Sequence, residues 1–290
     1  MTKKILVTGA AGLLGRQIVR QFSRDMDLRA TDREECDVTS LVEVRREIGS
    51  FCPDLVLHCA AFTAVDRAET EREAAFLLNE TGTRNVARAC REKGALLVTF
   101  GTDYVFDGTG GRPYREDDET NPLSVYGESK LAAERALYAE SPEWLLVRTQ
   151  WLFGPGGPDF VSAILRKADR EGAVRVVTDQ VGCPTFAPDL AEATRRLLES
   201  GTRGIVHFSN AGHTNFYDYG RFLLAETGRN EVRVEPVRTA DFPRGVYPAP
   251  RPAYSVLDKS KYTGITGSAP RPWRDAVREY LGTLHAGPPS

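Results

Sequence analysis

Long apolar runs, paired cysteines and an excess of charge of either sign are all missing from this 290-residue chain. No stretch approaches the roughly 18 apolar residues of a membrane span, and no membrane partner is expected. Met1-Thr2-Lys3-Lys4 leads straight into Ile5-Leu6-Val7, without the apolar region and small-residue cleavage site of a signal peptide. The net charge of -2 gives no electrostatic footprint for nucleic acid. The five cysteines, Cys36, Cys52, Cys59, Cys90 and Cys183, are odd in number and carry no CxxC or zinc spacing, which predicts reduced, mostly buried thiols and a cytoplasmic location. Four histidines are too few and too scattered for a metal centre: His58 ends an apolar strand, and His207, His213 and His285 stand apart, so structural roles are expected for all four and no metal. Small-molecule chemistry is what remains.

Short, unalternating apolar runs recur at Ile5 to Val7, Leu55 to Leu57, Ala95 to Phe100, Trp144 to Val147 and Ile205 to Phe208. Such runs suit strands buried on both faces. Helical periods between them, Leu13 to Phe22, Thr39 to Ile48, Glu69 to Leu78, Thr83 to Glu92 and Asp189 to Leu198, predict an α/β fold with a Rossmann-like, doubly wound parallel sheet. After about residue 149 loops and prolines become frequent, notably from Pro243 to Pro252. The expected division is a dinucleotide-binding domain of 1–149 plus about 184–210, interleaved with a smaller substrate-binding domain of about 150–183 plus 211–290.

Thr8-Gly9-Ala10-Ala11-Gly12-Leu13-Leu14-Gly15 is a GxxGxxG run between the first strand and a helix. Glycine permits a tight turn and close approach of the backbone to a pyrophosphate, and the helix start offers free N–H groups and partial positive charge. Gly9, Ala11, Gly12, Leu13, Leu14 and Gly15 are therefore candidate cofactor contacts. Asp32, after the second strand, is placed to meet adenosine ribose hydroxyls, whereas its neighbour Arg33 suits a 2'-phosphate. The pair predicts use of both NADH and NADPH. In Asp37-Val38 the carboxylate either contacts the adenine or caps a helix.

Tyr126-Gly127-Glu128-Ser129-Lys130 is a YxxxK motif whose spacing puts phenol and ammonium on one helix face. A phenol titrates near pH 10, and a nearby ammonium together with an oxidised nicotinamide is expected to lower that value. Thr102, at the C-terminal end of an apolar strand, is placed to hydrogen-bond a substrate carbonyl. Taken singly, Tyr126 also reads as a core tyrosine, Lys130 as a surface lysine and Thr102 as a turn residue. Glycine loop, strand-end threonine and YxxxK in this order resemble the extended short-chain dehydrogenase/reductases.

A closer resemblance covers nearly the whole chain. Thr63-Ala64-Val65-Asp66, Thr102-Asp103-Tyr104-Val105-Phe106-Asp107-Gly108, Tyr126 to Lys130, Arg148-Thr149-Gln150-Trp151 and Asp179-Gln180-Val181-Gly182-Cys183-Pro184-Thr185 are similar to the dTDP-4-dehydrorhamnose reductase family. That family reduces the C4 ketone of dTDP-4-dehydro-L-rhamnose to dTDP-L-rhamnose, and the resemblance implies the same dTDP-sugar substrate here. It implies Thr102, Tyr126 and Lys130 as the catalytic trio, with Tyr126 and Lys130 also touching the cofactor. Ala60, Ala61 and Thr63 are implied as cofactor contacts, and Thr63, Val65, Asp103 and Trp151 as substrate contacts. Arg251, in Arg251-Pro252-Ala253-Tyr254-Ser255, resembles the family's Arg-Arg-Pro stretch with Pro250 in place of the first arginine, and is a candidate for the diphosphate. Gln17 stands where some members carry a metal-bridging acid, so a metal-bridged dimer is not expected; monomer and homodimer both stay open.

Two other readings share part of this pattern. Sugar-nucleotide dehydratases and epimerases have the glycine loop and YxxxK, but dehydratases typically follow the strand with Thr-Asp-Glu, and this chain has Tyr104 in place of the glutamate. Regulatory β subunits of methionine adenosyltransferase also resemble this family and bind NADP; they lose the tryptophan found here as Trp151.

Overall fold

A computed structural model describes residues 3–243 and 245–285, without the side chain of His285. The first half alternates strand and helix: β1 (Lys4–Thr8), α1 (Leu13–Phe22), β2 (Asp27–Thr31), α2 (Leu41–Phe51), β3 (Leu55–His58), the short α3 (Val65–Ala68) and α4 (Arg72–Phe76), α5 (Gly82–Lys93), β4 (Leu96–Thr102), α6 (Val125–Glu140) and β5 (Trp144–Thr149). The second half runs through β6 (Leu152–Phe153), α7 (Phe160–Glu171), β7 (Ala173–Val177), β8 (Val181–Gly182), β9 (Thr185–Phe186), α8 (Ala187–Glu199), β10 (Gly204–His207), β11 (Thr214–Asn215), α9 (Phe216–Glu226), β12 (Arg233–Val237), α10 (Ser260–Thr266) and α11 (Trp273–His285).

Six parallel strands form one sheet in the order β10-β5-β4-β3-β1-β2. Ile5, Leu6 and Val7 of β1 and all of β3 are buried, because helices cover both faces. Each apolar side chain among them contributes roughly 1.5–3 kcal/mol by leaving water. Ile18 and Phe22 of α1 pack with Leu190 and Leu197 of α8 on one face, while Val44 and Ile48 of α2 pack with Val86 and Cys90 of α5 on the other. At the edge, β2 reads Asp-Leu-Arg-Ala-Thr and is mostly exposed, so it shows no apolar run.

Two helices depart from their predicted bounds, and a third takes its start from a local cap. The second begins at Leu41, because the Asp37 carboxylate accepts from both the N–H and hydroxyl of Thr39, leaving Ser40 to cap through the Glu43 N–H. The helix expected over Glu69 to Leu78 is divided into α3, α4 and a π-helical turn at Leu77–Thr81. That turn directs Asn79 inward, where its amide brackets the Phe62 backbone and donates to Ser129. α6 starts at Val125, capped by Ser124 accepting from the Gly127 N–H, so Tyr126 lies in its first turn.

A second core gathers Phe153, Val161, Phe186, Tyr219, Leu223, Trp273 and Tyr280 between α7, α9 and α11. α10 returns to the large sheet, with Tyr262 buried in the cluster that includes Leu190 and Val206. Among the described residues no helix is long and apolar enough to cross a membrane. Cys36, Cys90 and Cys183 are buried, Cys59 is half-buried and Cys52 is exposed, and none is paired.

Candidate active site

The glycine turn is tight for measurable reasons. Gly9 has φ of +66°, and a Cβ there would lie 2.5 Å from the Ala60 nitrogen; one on Gly15 would lie 2.1 Å from the Gly9 carbonyl oxygen. Gly12, the N-cap of α1, supplies no side-chain cap, and the first turn has no acid, so the helix start faces outward with free donors. Asp32 buttresses this turn, accepting from the Ala11 N–H at 2.9 Å and from the Arg33 N–H at 2.9 Å. The Arg33 side chain is 87% exposed, 3.6 Å from Asp37.

A cavity of about 480 Å³ extends from Gly12, Leu13, Leu14 and Gly15 past Ala60, Ala61, Thr63 and Val65 to Thr102, Asp103, Tyr126, Lys130 and Trp151. These predicted positions therefore meet in one space. Gly9, Ala11, Asp32, Arg33, Asp37, Val38 and Arg251 do not line it. Val38 is packed in the apolar cluster between α2 and α5. The Asp37 carboxylate ties down Thr39 just ahead of Ser40, the cap of α2. Arg251 forms a two-pronged ion pair with Asp66 at 2.6 and 3.0 Å and also donates to the Ala249 carbonyl.

One turn of α6 separates Tyr126 from Lys130, and both are buried under the end of β4. The Lys130 Nζ donates to the Phe100 carbonyl at 2.7 Å. Burial lowers Lys130 to about 8, against the pull of Glu134 one turn further on. For Tyr126 burial outweighs every other influence of the protein's own groups and pushes the phenol up to about 12, with the Thr102 hydroxyl opposing it. The Thr102 hydroxyl accepts from the Tyr104 N–H and donates to Asp103, both at 3.2 Å. Asp103 accepts from the Ser255 hydroxyl at 2.5 Å, and burial raises its carboxyl to about 7. Tyr104 meets Tyr126 edge to face, with centroids 5.5 Å apart.

Across the cavity Trp151 has φ of +44°, a conformation that costs a non-glycine residue roughly 1–3 kcal/mol. Packing enforces it. The indole stacks on Phe216 with centroids 3.7 Å apart, and Gly182 is close enough that a Cβ there would lie 2.6 Å from the ring. Tyr104, noted in the sequence only for replacing a glutamate, lines the space, as do Thr149, Gln150, Phe216 and Tyr219, which were not singled out as site residues. Gln150 was within the Arg148 to Trp151 stretch, but Phe216 reaches Trp151 from α9, a contact with no local signal.

His58 sits between the hydroxyls of Thr8 (2.7 Å) and Thr83 (3.3 Å), and burial lowers it to about 3. His207 lies between the Tyr114 carbonyl and Arg148 and is lowered likewise, chiefly by burial. His213, in contrast to the expectation, is exposed and not packed in the core; the His285 side chain lies outside the described residues. Gln17 donates to the Pro155 carbonyl at 2.9 Å. Among the described residues no group of three or more His, Cys, Asp or Glu side chains is placed to hold a metal ion.

A parallel sheet in this strand order, with a glycine turn after its first strand and a tyrosine, lysine and threonine gathered at the strand ends, defines the extended short-chain dehydrogenase/reductase class. Residues 3–286 match the family described as RmlD substrate binding domain. A dTDP-4-dehydrorhamnose reductase of Mycobacterium tuberculosis is 42% identical over 97% of this chain and 93% of its own length. The dTDP-4-dehydrorhamnose reductase of Bacillus anthracis, solved in complex with NADP, superposes with a TM-score of 0.93 at 32% identity, over 98% of this chain and all of that one. A probable dTDP-4,6-dihydroxy-2-methyloxan-3-one 4-ketoreductase of Streptomyces antibioticus is 42% identical over 94% of this chain and 93% of its own. The chain belongs to the dTDP-4-dehydrorhamnose reductase family.

Proposed function

We propose that this protein reduces the C4 ketone of dTDP-4-dehydro-L-rhamnose to dTDP-L-rhamnose, using NADPH or NADH. The observation that carries the reading is the single cavity joining the glycine turn to Thr102, Tyr126, Lys130 and Trp151. Its volume falls in the usual range for ligand sites, and the uncapped start of α1 beside glycines that admit no Cβ fits a dinucleotide pyrophosphate. Family relatives named as dTDP-sugar ketoreductases, one of them holding NADP, support the substrate and cofactor classes.

When bound, the nicotinamide supplies the hydride. Tyr126 donates its phenolic proton to the oxygen as it gains charge; held near 12 by burial, the phenol enters the reaction protonated. Lys130 steadies the phenolate left behind and holds the cofactor ribose. Thr102 hydrogen-bonds the carbonyl oxygen, its rotation fixed by the Tyr104 N–H and Asp103. Trp151, Val65 and Thr63 shape the sugar side, the indole offering a flat apolar face to ring C–H groups. Asp32 acts through the turn it supports, and the exposed Arg33 is free to meet a 2'-phosphate, which favours acceptance of both cofactors. Arg251 serves the diphosphate only by sharing itself with Asp66.

The same reading divides the chain into a dinucleotide-binding unit of 1–149 plus about 184–210 and a substrate-binding unit of about 150–183 plus 211–290, with α10 reaching back to the sheet. It places the enzyme in the cytoplasm as a monomer or homodimer. Following the loss of reduced nicotinamide with NADPH and with NADH against dTDP- and UDP-linked 4-keto sugars tests it. Consumption with dTDP-4-dehydro-L-rhamnose is expected. Tightly held NAD+ without net consumption points to an epimerase or dehydratase, and co-purification with an adenosyltransferase without turnover points to a regulatory subunit.

A further inference from the structure

Among the described residues five buried side-chain polar atoms have no hydrogen-bond partner, and three of them, Thr149 Oγ1, Gln150 Nε2 and Tyr219 Oη, belong to residues that line the one cavity described above. Unpaired buried groups are rare because they forfeit their bonds to water, and their gathering at one space points to a ligand that supplies the partner. Gln150 is the most constrained of the three. It is 2% exposed, and its Oε1 accepts from the Cys183 N–H at 3.1 Å. That bond fixes which end of the amide is which, because a nitrogen at that position would oppose donor to donor. The Nε2 is thus the end left without a partner. Gly182 packs against both the Gln150 Oε1 and the Trp151 ring, with a Cβ there falling 2.9 and 2.6 Å from them, so amide and indole are held as one wall. Cys183 follows β8, whose Val181 bonds to Ala253 and Ser255, and Ser255 in turn holds Asp103.

We propose that Gln150 is a specificity-determining residue for the sugar, donating from its amide nitrogen to a ring hydroxyl of the 4-keto hexose beside Trp151. The assignment rests on the reductase reading and extends it to one hydrogen bond. A primary amide bears no charge and donates to a neutral hydroxyl oxygen without the desolvation cost of an ammonium or guanidinium, which suits discrimination among sugars that differ by a hydroxyl. A site built around such a donor rejects an analogue lacking the acceptor, since the amide is then buried unpaired.

Two uncharged variants remove the donor. Gln150→Met keeps the approximate shape and Gln150→Leu shortens it, and both also give up the oxygen that the Cys183 N–H uses. KM for the sugar nucleotide is expected to rise about 3- to 10-fold in each, as for loss of one neutral hydrogen bond. The dissociation constant for NADPH, read from quenching of tryptophan fluorescence, stays unchanged, as does the melting temperature within a few degrees. The wild type disfavours 2-deoxy or 3-deoxy analogues of the sugar, and the variants lose that preference. Weakened NADPH binding with an unchanged sugar KM overturns the proposal, as does a wild type that turns over both deoxy analogues as well as the parent; this last comparison decides even if both variants fail to fold. A wild type that consumes no reduced cofactor with any of these sugars fails the reductase reading itself, whereas an active wild type indifferent to Gln150 fails only this assignment.

Discussion

The two walls of the cavity are built on opposite terms. On the glycine side the backbone is held by partners already present: Asp32 takes the Ala11 N–H, Gly9 sits against Ala60, and Gly15 packs on Gly9. On the aromatic side Trp151 is held at positive φ, Thr149 and Gln150 keep polar atoms unpaired, and Asp103 is buried with its carboxyl raised. A dinucleotide presents the same pyrophosphate to every enzyme that uses it, so a rigid turn serves. On the proposed function the aromatic wall has to meet particular hydroxyls and a carbonyl whose charge changes during reaction, which accounts for the strain and the unpaired groups that the fold tolerates there.

The largest expected effect lies between the walls. Tyr126→Phe removes the proton donor and should lower kcat about 100- to 10,000-fold while NADPH affinity measured by fluorescence titration stays within about twofold; equal losses in both would make Tyr126 part of the cofactor wall. Next comes Asp103, raised from 3.8 to about 7 by burial. A folded value above the unfolded one means its contribution is fully present below about pH 4 and is lost as pH rises through 7. Urea unfolding should therefore show the wild type losing stability across that window relative to Asp103→Asn, by an amount on the order of 4 kcal/mol. His58 and His207, lowered by burial, act with the opposite sign over the acidic range, so the difference between wild type and variant is the quantity to read.

On the glycine side, Gly15→Ala places a Cβ on the Gly9 carbonyl and should weaken cofactor binding about 10- to 100-fold, as overpacking of 1–3 kcal/mol implies, with sugar-diphosphate binding measured by calorimetry little changed. The smallest effect separates strain from packing at Trp151. Both Trp151→Ala and Trp151→Gly lose the indole, but glycine relieves the positive φ and should unfold about 1 kcal/mol later than alanine in a urea titration. Equal stability of the two would remove strain from the account of that wall.

The contrast also explains what could be read in the linear sequence. β1, β3, β4, β5 and β10 announce themselves as apolar runs because both faces are buried, and the glycine turn is contiguous, so the fold and the turn are both legible. β2 is an edge strand with its side chains largely in solvent, and only its place before Asp32 marks it. The π-helical turn at Leu77–Thr81 breaks a helical period that looks continuous, since it is set by what Asn79 reaches in three dimensions. Tyr126, Lys130, Thr102 and Trp151 stand out through their neighbours in the chain. Phe216 and Ser255 do not, because each meets the site through a contact more than 60 residues distant in sequence. The bond of Arg251 to Asp66, and not to the cavity, is likewise a tertiary fact that no spacing encodes.

The convergence of the two walls on one carbonyl is tested most directly by isotope transfer. With NADPH deuterated at the hydride position of its nicotinamide, the wild-type protein should convert dTDP-4-dehydro-L-rhamnose to a product carrying a single deuterium at C4, located by mass spectrometry and proton NMR. A sugar that keeps its ketone, or a product whose C4 hydrogen comes from solvent, would contradict the account.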